Sequence, residues 1–302
     1  MDSSDREVPS LSVLMSVYNG RPYLEEAIES IINQTFTEFE FLIIDDASTD
    51  GSRELLKEWD AKDERIRLIL HDQNRGLGYA LAEGVEAACG KWIARMDDDD
   101  IACPNRLQKQ LKFVEENPGI DILGGWAVEI DTDGNPTRLR QVPISHEDIV
   151  RLIWTIPVIH PTVMFRRRAI QQVGSYDIAL RRRQDYDLWF RCAAAGLRFA
   201  NIPEPLIHYR FTDNYYEKND LSTALDQVRI GWRGCCLTGA SPIAYIGVMA
   251  PLIRALLPRR LSKWLQELLN KFDPRKENKG MSKGEYNDCF LEGAQVNKST
   301  DA

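Results

Sequence analysis

No stretch of this 302-residue chain offers the roughly 20 consecutive apolar residues that a membrane-spanning helix requires. Residues 242–257 are apolar apart from Arg254, but the run is short and Pro251 interrupts it. Its six cysteines (89, 103, 192, 235, 236 and 289) show no Cys-x-x-Cys spacing, so they indicate neither a zinc site nor a disulfide framework and read as reduced thiols. An excess of positive charge is missing too: the formal net charge is -8, which disfavours nucleic-acid binding across the whole surface. An anionic ligand would then need a local answer, a metal or a few arginines. Residues 1–9 are polar and charged, without the apolar core of a signal peptide, and the expected location is the cytosol. Gly76-x-Gly78 is too short for a dinucleotide fingerprint, and no internal repeat is present.

What the chain does have is a dense run of carboxylates, Asp97-Asp98-Asp99-Asp100, closing the apolar-leaning stretch 91–96. Like charges on adjacent residues repel and must stay solvated, so their simplest favourable role is to hold a divalent cation through hard oxygen ligands. A calcium loop of EF-hand type is not indicated, because no Gly and later Glu follow at the required spacing.

With 43% hydrophobic and 28% charged residues, the chain can bury a sizeable core. Short β-rich runs at 11–18, 39–45, 66–71 and 92–96 alternate with helical patterns at 23–34, 53–60, 78–88 and 104–116. Successive βα units predict an open, mostly parallel sheet covered by helices, with ligands beyond the strand C-termini. The polar clusters at 18–20, 45–51, 72–76 and 97–100 all fall there. From about residue 120 the pattern is mixed: a strand over 120–130, a turn at 131–136, a helix over 185–195 and a strand over 206–211. This predicts a second α/β or α+β subregion. The expected organisation is a flexible N-terminus (1–9), a main domain (10–215), a helical extension (216–272) and a disordered polar tail (273–302). In the extension Arg259, Arg260, Lys263 and Lys271 flank Trp264, Leu265, Leu268 and Leu269. That mixture suits either an anionic membrane surface or a helical pair packed on the domain.

Five segments then stand in a telling order. They are Ser12-Val-Leu-Met-Ser-Val-Tyr-Asn-Gly20, Phe41-Leu-Ile-Ile-Asp-Asp-Ala-Ser-Thr-Asp-Gly51, Met96-Asp-Asp-Asp-Asp100 with Pro104 and Arg106-Leu107, His160-Pro-Thr-Val-Met-Phe-Arg166, and Gln184-Asp-Tyr-Asp-Leu-Trp-Phe-Arg191. Across about residues 10 to 211 the chain resembles the family 2 glycosyltransferases. The resemblance implies an α/β GT-A fold, a Rossmann-like, mostly parallel sheet flanked by helices, here with a C-terminal helical extension. It implies a metal-dependent, inverting transfer of one sugar from a nucleotide-diphosphate sugar, a UDP-sugar foremost, to a hydroxyl of a glycan or lipid-linked glycan. Such a reaction belongs to cell-surface or exopolysaccharide biosynthesis, with peripheral contact on the cytosolic face of the membrane. The Q-x-x-R-W motif and the several spanning helices of the related processive synthases are missing, which favours one sugar per event.

Residue by residue, Ser16, Tyr18 and Asp46 lie at strand ends where a nucleotide pocket would form. Tyr18 offers a flat apolar face, and a carboxylate can accept the N–H of a uracil-like base, the task the resemblance gives Asp46. A blander role for the 45–50 segment is a turn with Ser48 or Asp50 capping the next helix. The family's D-x-D element maps to Asp97-Asp98-Asp99, with Asp98 toward the nucleotide, Asp99 the direct ligand of Mn²⁺ or Mg²⁺, and Asp100 a turn residue. His208 is a candidate to complete the metal's coordination. Asp185 is the candidate base, ionised at a helix N-terminus; the family usually has Glu-Asp where this chain has Gln184-Asp185. His160 reads equally as an acceptor-site, metal-adjacent or structural histidine. The runs 166–168 and 181–183 are triple arginines that meet an anionic ligand or simply stay solvated. Two other functions stay open on the residues alone. One is a nucleotidyltransferase, although Ser16-Val-Tyr-Asn-Gly20 is not its Gly-rich basic loop; the other is a non-catalytic sugar-nucleotide-binding module.

Overall fold

The computed structural model describes residues 9–211, 221–257 and 261. Expectations for the extreme N-terminus, for most of the basic stretch 259–271 and for the tail 273–302 lie outside the described residues.

The first half follows the alternating pattern. Strands β1 (Leu11–Val17), β2 (Phe39–Asp45), β3 (Ile66–Leu70) and β4 (Trp92–Met96) are linked by helices α1 (Leu24–Ile32), α2 (Ser52–Lys62) and α3 (Leu77–Ala87). They pair in parallel in the order β3-β2-β1-β4. Along β1, Leu11, Val13, Met15 and Val17 join α1 and α2 in one core, while Leu14 packs with Ala80, Leu81 and Val85 of α3 on the other face. Both faces are covered, so these strands read as near-continuous apolar runs.

The second half extends the same sheet beyond β4. A two-residue strand β5 (Ile101–Ala102) and helix α4 (Arg106–Glu116) lead to β6 (Ile122–Ile130), the hairpin strand β7 (Pro136–Arg140) and helix α5 (His146–Arg151). Strand β8 (Met164–Arg166), helices α6 (Arg167–Gln172) and α7 (Gln184–Ala194) and the long β9 (Phe199–Arg210) follow. The full order is β3-β2-β1-β4-β8-β6-β9-β5, with β7 paired to β6. Residues from 120 onward therefore build no separate subregion: antiparallel β8 joins β4 to β6 in a nine-stranded sheet.

Helices α8 (Leu221–Thr238), α9 (Pro242–Val248) and α10 (Ala250–Leu256) form the C-terminal extension. Pro251 falls in the first turn of α10, where its missing N–H costs nothing. Helix α8 packs on α7 with Gly234 against Phe190, so close that a β-carbon there would overlap the ring. Among the described residues no helix is long and apolar enough to cross a membrane.

Candidate active site

Three of the loops around the expected site residues contain a non-glycine residue in the left-handed region: Asn19 (φ 56) after β1, Ala47 (φ 64) after β2 and Arg183 (φ 63) just before α7. Backbone strain of this kind persists where the surroundings over-determine a conformation. At the β2 end, the Asp45 carboxylate is fully buried and pairs with Arg53 at 2.6 Å. Asp46 is 2% exposed, and its Oδ1 receives the backbone N–H of Arg75 (2.8 Å) while its Oδ2 receives that of Gly76 (2.7 Å). His71 Nδ1 lies 2.7 Å from Asp46 Oδ1, and its Nε2 lies 2.6 Å from Glu83 Oε2. Burial works against a charged imidazole here, but the two carboxylates outweigh it and raise the His71 pKa.

The cap of α2 differs from the expectation: its N-cap is Gly51, and neither Ser48 nor Asp50 occupies that position. Asp50 still accepts the N–H of Ser52 at 3.0 Å and that of Arg21 at 3.0 Å, and Ser48 Oγ accepts that of Asn19 at 3.0 Å. Both side chains thus tie the β1 and β2 loops together. Tyr18, on the β1 loop, is 52% exposed, and Ser16 is half-buried on β1 beside Ile44.

The acidic run follows β4. Asp97, Asp99 and Asp100 present oxygens within 4.8 Å of one another, while Asp98 packs its carboxylate against Gly20 of the β1 loop. Burial, then the charges of Asp99 and Asp97, push the Asp98 pKa up to about 8; burial and Asp97 push Asp99 up to about 6. Asp100 is raised well above the carboxylate range by burial and the same two neighbours. It is more than a turn residue: fully buried, it accepts the backbone N–H of Arg210 on Oδ1 at 2.8 Å, and its Oδ2 has no hydrogen-bond partner. Arg210 also donates from Nε to the Asp99 carbonyl (2.9 Å) and from Nη2 to Glu26 (2.6 Å).

His208 stands outside this carboxylate group. It sits within the paired part of β9, opposite Ile101 and Val128, where the sheet fixes it; burial and then Arg210 lower its pKa to about 4. Asp97 and Asp100 are the residues that group with Asp99. Three hard-oxygen side chains, one with an orphaned buried oxygen, fit a divalent cation such as Mn²⁺ or Mg²⁺.

A cleft of about 330 Å³ brings Asp97 and Asp185 together with Arg95, His160, Leu77 and the 181–183 arginines. Asp185 lies in the first turn of α7, yet burial raises its pKa, with Arg183 and the Tyr186 N–H opposing. Burial and the helix end therefore act in opposite directions on the Asp185 carboxylate, and burial is the larger influence. His160, in the cleft wall, hydrogen-bonds Tyr176 Oη at 2.9 Å, and burial and Arg95 hold its pKa well below the usual histidine value. Gln184 is buried and donates to the Leu180 carbonyl at 3.0 Å. The two arginine runs separate. Arg166 pairs with Asp121 at 3.2 Å and stacks on Trp92, and Arg167 bonds the Ala88 carbonyl, whereas 181–183 line the cleft. Ser16, Tyr18, Asp46 and Asp98 do not line it; they gather at the adjoining β1 and β2 ends, and the 75–77 loop runs from Asp46 to the cleft wall. A larger cavity of about 690 Å³, between α3 and α7, contains none of the expected site residues.

Sequence reasoning passed over Arg95, which is 2% exposed on β4 and paired with Asp97. An arginine inside an apolar strand directly before an acidic run was its available signal. His71 and Arg210 had no such signal, because their partners lie 25 and 110 residues away.

Known proteins supply the wider frame. The profile described as "Glycosyl transferase family 2" matches residues 12–174. An uncharacterized glycosyltransferase of Methanocaldococcus jannaschii, MJ1057, is 38% identical over 71% of this chain and 76% of its own length. The putative glycosyltransferase EpsE of Bacillus subtilis is 32% identical over 83% of this chain and 90% of its own. The amylovoran biosynthesis glycosyltransferase AmsE of Erwinia amylovora is 33% identical over 66% of this chain and 75% of its own. Among solved structures, S. aureus TarS 1-349 in complex with UDP-GlcNAc superposes with a TM-score of 0.63 (16% identity, 82% of this chain, 72% of that one). The mannosyltransferase PcManGT of Pyrobaculum calidifontis, in complex with GDP-Man and Mn²⁺, gives 0.60 (17% identity, 96% and 81%). With the expected GT-A architecture present and the sequence matches this extensive, the chain belongs to glycosyl transferase family 2 and is a glycosyltransferase.

Proposed function

We propose that this enzyme transfers one sugar from a nucleoside-diphosphate sugar, UDP-linked in the first instance, to a hydroxyl of a glycan or lipid-linked glycan, with inversion and with divalent-metal dependence. The observation that carries this reading is that Asp185 and Asp97 face one cleft while the rest of the carboxylate group adjoins it. Asp185 accepts the proton of the acceptor hydroxyl; its raised pKa makes it a stronger base than an exposed carboxylate. The freed oxygen bonds the anomeric carbon from the face opposite the diphosphate, the bond to the diphosphate oxygen breaks, and a nucleoside diphosphate leaves. Asp46 accepts an N–H of the base, Tyr18 packs on it and Ser16 lines the pocket, while Asp98, after β4 and against Gly20 of the β1 loop, faces the nucleotide.

Asp97, Asp99 and Asp100 would hold Mn²⁺ or Mg²⁺, Asp99 foremost. Such a cation, when bound, offsets the negative charge growing on the departing diphosphate. Arg95 pairs with Asp97 and positions it. The reading is supported by the Mn²⁺ and GDP-Man of PcManGT, by the UDP-GlcNAc of TarS and, for polysaccharide assembly, by the name of AmsE. A cytosolic enzyme resting on a membrane surface is supported by α9 and α10, where Ile243, Ile246 and Leu256 are 70%, 72% and 68% exposed.

The deciding experiment is a donor screen with Mn²⁺ or Mg²⁺ that detects released nucleoside diphosphate, with Asp185→Asn and Asp99→Ala alongside. Product formation by the parent and its loss in both variants is expected; variants as active as the parent would overturn the site assignment.

A further inference from the structure

The charge of the cleft is opposite to that of the chain. In a molecule of net charge -8, the cleft is lined by Arg95, Arg140, Arg181, Arg182 and Arg183 against only Asp97 and Asp185. Arg95 pairs with Asp97, yet it is 2% exposed and its Nε and Nη1 have no hydrogen-bond partner. Guanidinium groups do not shed their charge, so these buried donors call for an oxygen ligand. Arg140 approaches a carboxylate, Glu129, only at 3.8 Å, Arg181 makes no ion pair among the described residues, and Arg183 acts on the Asp185 carboxylate of the same cleft. Isolated surface arginines are usually solvated; several converging on a concave site above a buried arginine with open donors make an oxyanion site.

The two ends of the active site differ. Carboxylates suited to a cation adjoin the nucleotide corner, and a cation neutralises the donor's diphosphate there. The arginines surround Asp185 instead, and Arg183 is two residues from it in the chain. We propose that the acceptor carries an anionic group, a phosphate or a carboxylate, beside its reacting hydroxyl, and that Arg140, Arg181 and Arg183 hold that group. The inference rests on the transferase reading and names the acceptor class for the same site.

Glucose 1-phosphate, glucuronate and neutral glucose are titrated against the full-length enzyme saturated with UDP and Mn²⁺, with binding followed by saturation-transfer NMR. At least one anion binds about tenfold or more tightly than glucose, in line with charge-assisted hydrogen bonds. The Arg140→Ala/Arg181→Ala double variant loses that preference, and the Arg140→Lys/Arg181→Lys variant keeps part of it. Preference for the phosphate points to a phosphate-linked glycan, preference for the carboxylate to an acidic sugar. Anions bound no better than glucose, or an alanine variant with the parent's preference, would each overturn the proposal. Failure of the parent to bind UDP would instead overturn the UDP-donor part of the proposed function, so the two failures are distinct.

Discussion

The two aspartate clusters of this enzyme, Asp45-Asp46 and Asp97 to Asp100, look alike in sequence and are opposite in physics. At the first, every carboxylate has its donors: Arg53 for Asp45, and His71 with two backbone N–H groups for Asp46. At the second, four carboxylates share two arginine neighbours, three have raised pKa values, and one buried oxygen has no partner. The first cluster is charge-compensated as folded and fastens the 71–76 loop, with Asp46 Oδ2, bonded by the Gly76 N–H, keeping acceptor capacity for a base N–H. The second is under-compensated, and that unmet negative charge is what a cation would bind.

The contrast is best broken by substitution. Asp185→Asn, which leaves the shape of the cleft but removes the base, is expected to lower kcat by about a hundred- to ten-thousand-fold, the usual range for a positioned proton acceptor. Asp99→Ala comes next, with a loss of about a hundred- to a thousand-fold, comparable to removing one strong electrostatic stabiliser, and with an apparent metal requirement shifted to higher concentration. Asp46→Asn should act differently: donor KM rises while metal affinity holds. Steady-state kinetics with varied donor and varied Mn²⁺ separate these outcomes.

How far the clusters were legible follows from the same contrast. The first half of the sheet was readable because each strand is buried on both faces and followed by a polar turn, so Phe39–Asp45 and Trp92–Met96 emerge with their exact ends. Strands β5 and β8, two and three residues long, are too short to show any period, and their pairing comes from β9, β4 and β6. Within the site, Asp46, Asp99 and Asp185 could be singled out by type and position. Their environment could not, because it is assembled across the fold: Arg210 meets Asp100 through the β5–β9 pairing, and His71 meets Asp46 through the β2–β3 pairing. His208 shows the same limit, since its place on β9 opposite Ile101 is set by the β5–β9 pairing and not by any neighbour in sequence.

Smaller effects sharpen the account. Gly234→Val should cost about 1 to 3 kcal/mol of stability by forcing Phe190 and α7 apart, read as a lower melting temperature. The pH dependence of stability has a definite sign at both clusters. Asp98 and Asp99 have folded pKa values raised to about 8 and about 6, so the folded state binds more protons than the unfolded chain and metal-free stability falls as pH rises from about 4 toward 8. The raised His71 pKa acts in the same direction: its contribution is full below the unfolded value of 6.5 and is lost as pH rises through the folded one. Added Mn²⁺ should reverse the loss at the second cluster alone. Melting temperatures from pH 5 to 8, with and without Mn²⁺, in the parent and in His71→Gln, check this.

The most direct test is a Mn²⁺ titration of the parent, Asp99→Ala and Asp46→Asn at pH 7.5, followed by electron paramagnetic resonance of the free ion. The account predicts binding at one site in the parent and in Asp46→Asn, and its loss in Asp99→Ala. Binding retained in Asp99→Ala, or lost in Asp46→Asn with the fold intact, would contradict the division of labour between the two clusters.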